Sequence, residues 1–174
     1  ATYDMNRPGL LTWRNIEDTT NDPVIAQRAP LAYRNYQGSE DYYVAGQLIW
    51  LAVDAKLRTL SHDKRSLDDF ASGFFGVDPG AWNINTYTFQ DVVDTLNKIE
   101  PYDWSTFLRT RLDGHQKVTD GIAAEGWKLV YTDKQSDVIK ALMAEYHIKG
   151  IDLTYSVGFS TSGKGSLRDV LWNG

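Results

Sequence analysis

Residues 40–58 read EDYYVAGQLIWLAVDAKLR, and the reading of this stretch decides the fold. Tyr43, Gln47, Trp50 and Asp54 recur at i, i+4, i+7 and i+11, which places them on one face of a helix. Leu48, Leu51, Ala52, Ala55 and Leu60 form a second, mostly apolar stripe. A helix with apolar residues on more than one face belongs at the centre of a fold. Two features sit oddly in it. A pair of tyrosines, Tyr42 and Tyr43, opens the helix, and Gly46 occupies its first turn, where Gly is about 1 kcal/mol less favourable than Ala.

Further helices follow. In KRSLDDF, Ser66 and Asp69 have the spacing of a helix N-cap and its reciprocal acid, ahead of the apolar face Leu67, Phe70, Phe74 and Phe75. TFQDVVDTLNKI repeats that logic with Thr88 and Asp91, turns Val92, Leu96 and Ile99 inward, and stops at Pro101. Asp103 caps WSTFLRTRL, which ends near Gly114. The pattern predicts a mainly α protein, a bundle of about four helices near 40–60, 66–75, 88–99 and 103–112, with a short C-terminal β segment.

After Gly121 the texture changes. GWKLVYTD alternates like a strand, DVIKALMAEY has a modest helical pattern, and IDLTYSVGFSTSGKGSLRDVLWNG reads as two strands around a Gly-rich turn. Residues 1–39 carry turn signals (Pro8, Gly9, Pro23, Pro30) but many aromatic and aliphatic side chains, so they are expected as loop and short helical pieces packed on the bundle. Three regions result: 1–39 irregular, 40–120 helical, and 121–174 a linker with a β segment too short to close a β domain.

The composition narrows the function. Six Trp, ten Tyr and six Phe supply large side chains for a core. A net charge of -5 argues against a general nucleic-acid binder, which needs clustered cations. The longest apolar run, VAGQLIWLAV, is too short to span a membrane. The absence of cysteine removes disulfides, thiolate nucleophiles and Cys-ligated metals, and leaves the cellular compartment open. His62, His115 and His147 are scattered, and none has a partner at i+4, so no zinc site is expected in this chain. STSGKGS lacks phosphate-loop spacing and reads as a turn. Asp68 and Asp69 are adjacent on a helix and diverge, which suits capping better than paired acid chemistry.

Tyr42 and Tyr43 remain. Both can be amphipathic aromatics at the edge of a core helix, or one can donate its hydroxyl to a developing oxyanion. In the second case Gly46 would let another backbone or a substrate approach.

The segment Tyr43-Val44-Ala45-Gly46 followed by an apolar helix resembles the Y-x-x-G segment of gluzincin zinc aminopeptidases. The series YYVAGQLIWLAVDAKLR, KRSLDDF, TYTFQDVVDTLN, DWSTFLRTRLDG and GWKLVYTD resembles, in order, the glycyl-aminopeptidase family, and DLTYSVGFSTSGKGSLRDVLWNG resembles the opening strands of the PDZ domain that follows. The resemblance covers most of residues 36–174. It implies the C-terminal helical lobe of a thermolysin-like catalytic domain, read here as a piece of a longer polypeptide that hydrolyses N-terminal residues from peptides. The family's zinc would be held by an upstream H-E-x-x-H lobe, so Zn is a cofactor of the longer protein and this chain alone is expected to be inactive. Tyr43 matches the oxyanion-stabilising tyrosine, with Tyr42 as the fallback, and Gly46 would keep the first turn slim beside the cleft. Asp54 and Arg58 match the family's L-D-x-x-x-R ending in part, and are expected to form a structural ion pair. The alternative is a non-catalytic helical domain that binds other proteins.

Overall fold

A computed structural model describes residues 13–21, 41–75, 78, 80–130, 132–153 and 159–170. The described residues form seven helices followed by three short strands: α1 (Ile16–Thr20), α2 (Asp41–Ser61), α3 (Leu67–Phe74), α4 (Phe89–Ile99), α5 (Trp104–Leu112), α6 (Asp120–Ala124), α7 (Asp137–Glu145), β1 (Asp152–Leu153), β2 (Phe159–Thr161) and β3 (Leu167–Val170). The protein is therefore mainly α with a short C-terminal β segment, and the four expected helices stand within one residue of their anticipated limits.

Side chains close to each start write these limits. Ser66 Oγ accepts from Asp68 N–H, and the Asp69 carboxylate accepts from the Ser66 N–H at 2.9 Å. Thr88 and Asp91 make the same reciprocal pair, with the Thr88 N–H donating to Asp91 at 2.7 Å. Asp103 accepts from the Thr106 N–H at 3.0 Å. Each satisfies backbone donors that the first helical turn leaves without a partner.

Helix α2 is central. It packs against α1, α3 and α6, while α3 meets α4 and α4 meets α5. Its deepest side chains are Ala45, Ile49, Val53 and Leu57, all buried. That stripe lies between the two faces read from the sequence: Ala52 and Ala55 are buried as well, whereas Leu48 and Leu60 are partly covered. Phe70, Val93, Leu96, Trp104, Leu108 and Val118 complete the core. Trp104 is wholly buried and donates its indole N–H to the Glu100 carbonyl at 2.8 Å, so its one polar atom enters the core satisfied.

The N-terminal region packs on the bundle where it is described. Ile16 and Thr19 of α1 are buried, and Arg109 of α5 reaches Glu17 at 2.8 Å. The turn signals at Pro8, Gly9, Pro23 and Pro30 lie outside the described residues.

Beyond α5 the sequence reading needs correction in three places. The helical body continues to α6, a five-residue helix without a side-chain cap, held by burial of Val118 and Gly121 against the bundle. The strand expected over GWKLVYTD is absent among its described residues: Trp127, Leu129 and Val130 are all exposed, and residues 127–130 join no ladder. Alternation makes a strand only where a neighbouring strand takes up its hydrogen bonds. Among the described residues the β segment has three strands, not two, in an antiparallel sheet ordered β1-β2-β3. The Gly-rich turn joins β2 to β3 as expected; Gly165 takes φ +79 there, and its N–H donates to the Ser162 carbonyl.

Candidate functional site

Tyr43 stands in the first turn of α2 and is 63% exposed. Tyr42 beside it is half-buried, and the two rings lie 4.7 Å apart, tilted by 35°. The neighbouring tyrosines therefore split their roles: Tyr42 faces partly inward, and Tyr43 offers its phenol to solvent. The helix beneath Tyr43 is anchored one residue pair further on by the wholly buried Ala45.

Gly46 stands three residues beyond Tyr43 on the same helix. A Cβ built on it would meet nothing within 4 Å among the described residues, so the room that the glycine leaves is not taken up by any of them.

From Tyr43 the same helical face runs through Gln47, Trp50 and Asp54 into a groove of about 630 Å³ between α2, α3 and α4. At about 1.5 Å rise per residue, Gln47 lies roughly 6 Å and Trp50 roughly 10 Å along the axis from Tyr43. The walls are aromatic. Trp50 and Phe70 lie 4.9 Å apart, and Phe70 stacks on Phe74 at 5.0 Å. Phe75 and Tyr87 stand nearly perpendicular to Phe74, at 84° and 77°, each with its centroid 5.1 Å away. Three rings thus make a corner open to water, since Phe75 and Tyr87 are mostly exposed.

The polar end of the groove is built around Asp54. One carboxylate oxygen accepts from the Leu67 N–H at 2.6 Å, and the other from Arg58 Nε at 2.8 Å. The ion pair expected of Asp54 and Arg58 is present, and the same carboxylate ties the start of α3 to α2. Hydrogen bonding to Asp54 raises the Arg58 pKa above the usual guanidinium value; the Asp54 charge adds to this, and the Glu125 and Asp63 charges contribute further. Asp68 lines the groove too, and its exposed carboxylate makes no hydrogen bond or ion pair among the described residues. Its neighbour Asp69 turns back to the cap and pairs with Arg65 at 2.9 Å, so the two acids diverge as expected.

The groove itself was missed by the sequence reading. Its signal was present in Phe70, Phe74 and Phe75, an aromatic run exceeding what one buried helical stripe needs. Tyr87 belongs to the next connection, so only the fold brings it in.

Among the described residues no group of three or more His, Asp or Glu is placed to hold a metal ion. No described helix is long and apolar enough to cross a membrane. No protein-family model matches the chain, and no curated protein matches it.

Proposed function

We propose that this chain is the helical lobe of a zinc-dependent aminopeptidase of the glycyl-aminopeptidase type, with Tyr43 as its oxyanion donor. The observation that carries the reading is the position of Tyr43: an exposed phenol on the first turn of a core-anchored helix, on the face that continues into the groove. The ordered motif series supplies the family. Zinc ligands would come from an upstream lobe of the same longer polypeptide, and the three-stranded segment would open a PDZ domain.

The role of Tyr43 follows from its chemistry. As a nucleophile adds to the peptide carbonyl, negative charge collects on the carbonyl oxygen. A neutral phenol donates a hydrogen bond to that oxygen without adding a charge of its own. A donor held by a rigid helix needs little reorganisation as the charge develops. Tyr42, half-buried against the helix, would pack rather than react.

The test is kinetic, in the longer polypeptide that carries the zinc lobe. Tyr43→Phe should lower kcat by about 10²–10³-fold with a much smaller change in KM, because the bond strengthens as the oxyanion forms. Tyr42→Phe should leave kcat nearly unchanged. The reverse pattern would move the role to Tyr42, and full activity in both variants would remove it.

A second reading, a non-catalytic helical domain that binds other proteins, draws on the surface after α6. Trp127, Val130, Val138 and Tyr146 are exposed there. An upstream sequence without H-E-x-x-H would favour this reading.

A further inference from the structure

The groove beside α2 has a charge imbalance that selects its ligand. Among the described residues its charged lining is Asp54, Arg58 and Asp68. Asp54 and Arg58 neutralise each other at 2.8 Å, and both oxygens of Asp54 are already engaged. Among the described residues Asp68 is left as one negative charge without an ion-pair partner. Phe74, Phe75 and Tyr87, which line the same groove, form the open aromatic corner. Asp68 and Phe75 are seven residues apart on one face of α3 and its end, about 10 Å along the axis.

We propose that this groove binds an organic cation with an apolar body, the body seated in the corner of Phe74, Phe75 and Tyr87 and the ammonium group directed to Asp68. The aromatic faces carry the negative side of the ring quadrupole and attract a cation as well as an apolar chain. A protonated amine on a chain of several carbons spans the distance between the two ends. A carboxylate of the same shape would meet Asp68, and the cation it would seek is Arg58, whose Nε is held by Asp54 and which feels Glu125 and Asp63 as well. The geometry therefore favours the amine. This inference goes beyond the proposed peptidase activity and does not involve Tyr43.

Isothermal titration calorimetry of the chain with phenylbutylamine and with phenylbutyrate, which share one body and differ in head group, tests it. The amine should bind saturably and at least about tenfold more tightly than the carboxylate. Asp68→Asn should bring the two within about threefold of each other, since it removes the charge and keeps the shape. Phe75→Ala, at an exposed position, should weaken both ligands. Equal binding, or tighter binding of the carboxylate, would overturn the proposal and hand the groove to Arg58. So would an amine preference that survives Asp68→Asn, or no saturable binding of the amine below about 10 mM.

Discussion

Gly121 of α6 lies directly on the backbone of Ala52 in α2: a Cβ at Gly121 would sit 2.6 Å from the Ala52 nitrogen and 2.8 Å from its Cα. Backbone cannot step aside as a flexible side chain can. Gly121→Ala should therefore cost about 1–3 kcal/mol of stability through overpacking. The melting temperature should fall by roughly 2–4 °C for each kcal/mol. An unchanged melting temperature would show that α6 is not seated on α2.

Gly46 should behave in the opposite way. With no described atom within 4 Å of its missing Cβ, Gly46→Ala should raise stability by up to about 1 kcal/mol, from better helix propensity. In the longer polypeptide that the proposed function calls for, the same variant would ask whether that space admits a substrate or another lobe. A stabilised chain with reduced activity would say that it does. A lower melting temperature would contradict the open environment.

Asp54 accepts from Arg58 in its own helix and from the Leu67 N–H of α3, and the second bond joins the two helices. Asp54→Ala leaves the Leu67 N–H without its partner and should destabilise by about 1–3 kcal/mol, read from the urea midpoint. Asp54→Asn keeps an oxygen for one donor and should lose less. Equal losses would show that the charge matters and the hydrogen bond to α3 does not.

Acid should loosen the bundle at its helix starts. The Ser66 N–H holds the Asp69 carboxyl below its ordinary pKa, the Thr88 hydroxyl does the same for Asp91, and the Thr106 N–H for Asp103. Because the folded pKa lies below the unfolded one, this stabilisation is complete above the unfolded value and is lost as pH falls through the folded value. The melting temperature should fall as pH drops from about 5 towards about 2, and a variant with Asn at all three positions should fall less steeply.

Much of the bundle was legible because its instructions are local. Ser66 with Asp69, Thr88 with Asp91, and Asp103 with Thr106 each define a helix start within three residues. What escaped depends on distant partners. Helix α6 has no cap to announce it and is placed by Gly121 against Ala52, far back in the chain. GWKLVYTD alternates without a neighbouring strand to pair with. β1, only two residues long, is a strand because Asp152 and Leu153 find Ser160 and Phe159. At the site, the Tyr43 candidate came from a motif, but its exposure came only from the fold. The groove came from neither periodicity nor motif, since its corner joins the end of α3 to a residue of the following connection.

The caps also order events in time. Helix starts written within three residues can form before distant segments meet. The contact between Glu17 and Arg109 closes a sequence separation of 92. Its loop entropy is met only once the intervening helices have already shortened the chain. On refolding, far-ultraviolet ellipticity should therefore recover ahead of the docking of α1, and the burial of Ile16 should be among the last steps to finish. Simultaneous recovery of both signals would mean that α1 docks as part of the folding nucleus.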